Sequence, residues 1–121
     1  MNKFSFLLLL TLWFKPQTRV ELNILISKTN HIYWYQSPLK SDASNFNMAT
    51  SKTFSDLMLF VKSENHVDDL NFILKIQEKD YLNEDSKKFI DFIKGQKYYK
   101  AGKLTVSETQ LIEATEKANG Y

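Results

Sequence analysis

The chain contains no cysteine. That excludes disulfides, cysteine catalysis, thiolate zinc sites and a lipid-modified N-terminal cysteine, while saying nothing of the compartment. Glycine occurs three times and proline twice. So few glycines leave no Gly-rich loop to cradle a phosphate, and neither a nucleophile elbow nor a zinc-ligand spacing occurs. Excess charge is also scarce. A net charge of +2, with lysines interleaved among acids, gives no basic face for nucleic acid. An uninterrupted apolar run long enough to cross a bilayer is missing as well.

What is present suits one small globular domain. The 121 residues are 43% hydrophobic and 25% charged, and nine Phe, six Tyr and two Trp supply bulky core material.

Residues 4–14 form the longest apolar run, Phe-Ser-Phe-Leu-Leu-Leu-Leu-Thr-Leu-Trp-Phe, between Lys3 and Lys15-Pro16. A positive residue followed at once by an apolar run is the pattern of a targeting or anchoring segment. As a helix it covers only ~16 Å, against a hydrocarbon core of ~30 Å. It therefore reads as a signal-peptide core or as a membrane anchor cut short. Trp13-Phe14-Lys15-Pro16-Gln17 lacks the small residues that a cleavage site needs, which favours the anchor. The positive start predicts a cytoplasmic N-terminus and a translocated remainder. Two units follow: residues 1–16 as anchor or signal segment, and 17–121 as the folded domain.

Along that domain the apolar spacing alternates between the two secondary-structure periods. Val20, Leu22, Ile24 and Ile26 repeat at period two and predict a half-buried strand. His31 to Gln36 is a second short strand, joined to the first by a Lys28-Thr29-Asn30 turn in which Asn30 tolerates positive φ. Residues 37–50 read as a loop. Phe54, Leu57, Met58 and Val61 predict a helix capped by Ser51 or Thr53. Leu70 to Gln77 has apolar residues on both faces and reads as a central strand, although so short a run also fits a helix. A further helix, capped by Asp85 or Ser86, places Phe89, Ile90 and Ile93 on one face and stops at Gly95. Tyr98 to Val106 is strand-like, with a bulge at Gly102. Ser107 and Gln110 have the spacing of a capping box, opening a last helix that ends at Asn119-Gly120. The expected fold is α+β, a small mixed sheet of about four strands with about three helices in the order β-β-α-β-α-β-α.

No constellation for catalysis emerges. His31 and His66 stand apart, neither with an acid and a nucleophile at a telling spacing. His66 with Asp68 and Asp69 offers three donors in one loop, a grouping common by chance, so no metal or cofactor is assigned. Glu113 and Lys117 pair at i,i+4 on a solvated helix face. Tyr33-Trp34-Tyr35 is the most conspicuous cluster, and it is the candidate interaction surface. The alternative is that Trp34 packs inward while the tyrosines cover an edge.

Three segments together resemble the ExbD/TolR family of biopolymer-transport subunits, in its Bacteroidetes-type form. The first is Phe6-Leu7-Leu8-Leu9-Leu10-Thr11 leading to Phe14-Lys15-Pro16-Gln17-Thr18 and Val20-Glu21-Leu22-Asn23-Ile24. The second is Ile32-Tyr33-Trp34-Tyr35. The third is the succession of helix (54–62), strand (71–77), helix (86–94), strand (98–106) and a closing Ser-Glu-x-Gln helix. The resemblance implies a single-pass inner-membrane protein with a periplasmic domain that dimerises. It also implies an ExbB/TolQ-like channel and a TonB/TolA-like protein as partners, in a complex driven by the proton gradient. The family keeps an Asp within its membrane helix, because a buried carboxylate there carries protons. Here the first acid is Glu21, beyond Pro16, so no residue receives that role. A second reading, from another class, is a small exported or periplasmic binding protein with a signal peptide.

Overall fold

The computed structural model describes residues 20–49, 55 and 70–121. The apolar segment before Val20, His66 with Asp68 and Asp69, and the helix expected near residue 54 lie outside them, apart from Ser55, which is helical.

The first hairpin forms as its alternation predicts. Strand β1 (Val20–Ile26) pairs antiparallel with β2 (Ile32–Gln36), Ile26 opposite Ile32. Asn30 closes the turn at φ 64, where its short polar side chain pays little of the usual left-handed penalty. β4 (Leu70–Ile76) is indeed a strand, and it lies parallel to β1 in register Val20↔Leu70.

Two expectations about the sheet are corrected. Among the described residues it has five strands, in the order β3 (Asn47–Ala49), β2, β1, β4 and β5 (Tyr99–Gly102), where about four were expected. The additional strand, β3 (Asn47–Ala49), lies within the stretch read as a loop and pairs antiparallel with β2. Three residues are too few to show a period of two. At the other edge, β5 (Tyr99–Gly102) pairs parallel with β4 and ends at Gly102, with no strand onward to Val106.

Two α-helices are described, α1 (Glu84–Lys94) and α2 (Val106–Ala118), with a 3-10 turn at Lys79–Tyr81. None is long and apolar enough to cross a membrane, among the described residues. Each begins earlier than its sequence signal suggests. Asn83, not Asp85 or Ser86, caps α1: its side-chain oxygen accepts from the Ser86 backbone N–H at 2.8 Å. The capping box of α2 is Thr105 with Glu108, not Ser107 with Gln110.

The helices cover opposite faces of the sheet. Phe89, Ile90 and Ile93 of α1 pack on Leu22, Ile24, Ile26, Phe72 and Leu74. Ile112 of α2 packs with Leu25, Tyr33 and Tyr35 on the other face. Consequently β1 is buried on both sides, not half-buried, with Asn23 3% and Leu25 0% exposed. That is the usual fate of a parallel strand inside a sheet with helices on both faces.

Candidate functional site

A buried cluster of hydrogen-bonded polar side chains lies beneath α2. Glu108, Ile112 and Glu116 are four residues apart, so they share one helix face. All three are buried, and they face the side of the sheet that carries Tyr33, Tyr35 and Lys75. The helix is fastened by two carboxylates with one isoleucine between them.

At its N-terminal end, both Glu108 oxygens accept from Lys75 Nζ, at 2.9 and 2.7 Å. The Tyr35 hydroxyl donates to Oε2 at 2.6 Å, and the Thr105 backbone N–H donates to Oε1 at 2.8 Å. In return the Glu108 N–H donates to Thr105 Oγ1 at 3.1 Å. The carboxylate thus serves as helix cap and as partner of a buried ammonium at once. Burial would push its pKa up. The Lys75 hydrogen bonds, the Thr105 N–H, the Tyr35 hydroxyl and the lysine charge outweigh that and hold it below 4.5. Burial, then the hydrogen bond and charge of Glu108, push the Tyr35 hydroxyl well above its ordinary 10.0.

The position of Lys75 depends on Gly102, its neighbour in register on β5. A Cβ at Gly102 would sit 3.3 Å from Lys75 Cε and 3.3 Å from Ile73 Cγ2. The missing side chain leaves the lysine stem room to lie along β5.

At the C-terminal end of α2, Glu116 Oε2 accepts from Thr29 Oγ1 at 2.6 Å and from the Tyr33 hydroxyl at 3.1 Å. His31 Nδ1 lies 3.4 Å from the same oxygen and 2.7 Å from Thr29 Oγ1. Since Thr29 gives its one hydrogen to Glu116, the proton in the His31 contact belongs on Nδ1. A carboxylate in the last turns of a helix opposes the helix dipole. Burial also disfavours its charge, yet hydrogen bonds from Thr29, Ser27 and Tyr33 and the nearby His31 ring lower its pKa. The Tyr33 hydroxyl is raised well above 10.0, by burial first and then by Glu116. Tyr121 stacks on His31 with centroids 3.7 Å apart and planes within 5°, so the end of the chain covers the ring.

Histidine, hydroxyl and carboxylate meet here without forming a nucleophilic relay. A relay needs the acid on one ring nitrogen and the nucleophile on the other. Thr29 and Glu116 both crowd Nδ1. The chemistry of the cluster is fastening.

The residues expected to offer an interaction surface are placed differently. Tyr33 and Tyr35 are 0% and 6% exposed and point inward under α2, neither forming a surface nor covering an edge. Trp34 faces the opposite side and packs, half-buried, against the α1-side core, its Nε1 without a hydrogen-bond partner among the described residues. Period two separates the two faces of β2, but both faces are covered here. Glu113 and Lys117 are exposed on the outer face of α2. Among the described residues no group of three or more His, Asp or Glu side chains could hold a metal ion.

The sequence by itself does not single out Lys75, Glu108 or Glu116. A lysine within a strand that is apolar apart from it and Asn71, and a Thr-x-x-Glu box beside Ser-x-x-Gln, are the signals that point to them. No family model, curated protein or solved structure matches this chain.

Proposed function

We propose that the chain is a membrane-anchored subunit of ExbD/TolR type in a proton-driven complex that supports TonB-type transport across the envelope. Residues 1–16 would anchor it once in the inner membrane, and 17–121 would be its periplasmic domain. An ExbB/TolQ-like channel, a TonB/TolA-like protein and a second copy of the chain would be its partners. The observation that carries the reading is the succession of elements. A Leu/Phe-rich run ends in Lys15-Pro16-Gln17, an aromatic hairpin follows at once, and β4–α1–β5–α2 closes the domain.

One observation favours the second reading, a small exported binding protein. None of residues 4–14 is acidic, so the run has no group to carry protons.

Carbonate extraction followed by affinity purification from detergent-solubilised membranes tests the proposal. The chain should stay in the membrane pellet and bring an ExbB/TolQ-like channel with it. Release into the carbonate wash as a shortened product, with no channel recovered from intact membranes, would establish the exported form.

A further inference from the structure

A groove of about 270 Å³ runs along the face of the domain that carries α1. Its floor is apolar, built from Ile76 at the end of β4, Leu82 after the 3-10 turn, and the buried Ile90 of α1. Its rim is charged: Lys79 stands on the turn side, and Lys87, Asp91 and Lys94 stand along α1. We propose that this groove docks an extended acidic peptide, with one apolar side chain on the floor and two carboxylates about three residues apart on the lysines.

Charge complementarity selects the acidic partner. Among the described residues the rim offers three ammonium groups against one carboxylate. Lys87 does approach Glu84 at 3.8 Å, but both side chains are largely exposed, 57% and 83%. Such a pair contributes little and exchanges readily for an incoming carboxylate. Asp91 divides the positive charge into two ends, since it lies four residues after Lys87 and three before Lys94. A compact anion such as phosphate would meet repulsion at the centre. Separated carboxylates avoid it.

Spacing selects the extended form. Seven helical residues from Lys87 to Lys94 span ~10.5 Å. In a polyproline-II chain at ~3.1 Å per residue, positions i and i+3 lie on one side ~9 Å apart. Lysine stems absorb the small difference. The intervening apolar side chain then meets Ile76, Leu82 and Ile90, where it leaves water for an apolar floor. This inference uses only the end of β4, the segment of the 3-10 turn and α1, so it stands apart from the ExbD/TolR reading.

The test is fluorescence anisotropy of a labelled peptide, Gly-Glu-Pro-Leu-Glu-Gly, titrated with the whole protein at low salt. Saturable binding should weaken about tenfold when both Glu are replaced by Gln, and about tenfold in a K79A/K87A/K94A variant, the sum expected of two exposed ion pairs. Thermal unfolding of that variant should match the parent, which separates lost binding from lost fold. A Lys87→Glu/Lys94→Glu variant should instead take the peptide with Lys in place of Glu. Replacing Leu by Ser in the peptide should also weaken it. The proposal is overturned by absence of binding at millimolar concentration, by equal binding of the Gln peptide, by parent-like binding of the triple variant, or by displacement with equimolar inorganic phosphate.

Discussion

Lys75 Nζ reaches both carboxylate oxygens of Glu108, at 2.9 and 2.7 Å, from an interior strand of the sheet to the first turn of the last helix. The lysine side chain is 11% exposed and the glutamate 1%. A pair so far from water adds little net stability over an apolar pair of the same shape, yet it is costly to break.

Glu108→Ala should therefore destabilise the domain by about 3–5 kcal/mol, because it leaves a buried ammonium unpaired. It also removes half of the capping box, worth about 1 kcal/mol. A Lys75→Met/Glu108→Leu double variant should recover most of the first loss and none of the second. Urea unfolding of the two singles and the double gives the coupling. Strictly additive singles would show that the two charges are not paired in solution.

Asn30 supports a second cross-link, between the β1–β2 turn and the 3-10 turn. Its side chain donates to the Tyr81 carbonyl at 2.8 Å and accepts from the Asn83 N–H at 2.9 Å, while its backbone holds φ 64. Asn30→Gly keeps the backbone and loses both bonds, which costs about 1–2 kcal/mol. Asn30→Ala adds the left-handed penalty and should cost roughly 1 kcal/mol more. Chemical denaturation ranks the three proteins. Equal stability of the Gly and Ala variants would mean that the positive φ imposes no constraint.

Much of this frame was legible in the residues. The alternation from Val20 to Ile26, a turn ending at Asn30 and the apolar run from Leu70 to Ile76 each fix an element locally. What escaped depended on distant partners. Thr105/Glu108 and Ser107/Gln110 satisfy the same local capping pattern, and Lys75, thirty-three positions from Glu108, lies where it can bond the Thr105 box. Likewise the alternation in β2 separates Tyr33 and Tyr35 from Trp34, but only α2, arriving from the end of the chain, decides that the tyrosines are covered. β3 has no pattern of its own and exists through its pairing with β2.

Tyr121 is half-exposed, and its ring lies flat on His31. Removing Tyr121 should cost about 0.5–1.5 kcal/mol, the worth of one aromatic stack. The loss should appear first as faster amide exchange in the last turn of α2, while β1 and β4 exchange as before. Uniform acceleration across the sheet would show that the stack supports the whole fold and not the helix end alone.

Both buried carboxylates make the docking of α2 sensitive to acid. The pKa values of Glu108 and Glu116 are held below the 4.5 they have when exposed. Groups with a depressed folded pKa stabilise the fold above the unfolded value and lose that contribution as pH falls through the folded one. Thermal stability should hold near neutrality and decline below about pH 4.5. The tyrosines set the opposite limit. Tyr33 and Tyr35 are raised above 10.0, so their neutral forms stabilise the fold fully below pH 10.0, and that is lost as pH climbs further. Glu116→Gln should lower stability at pH 7 and flatten the acid limb, because it deletes one of the two linked protons while keeping an acceptor for Thr29 and Tyr33. Melting curves from pH 3 to 11 on the parent and on this variant measure both slopes. An acid limb unchanged by Glu116→Gln would assign the sensitivity to Glu108 and its lysine alone.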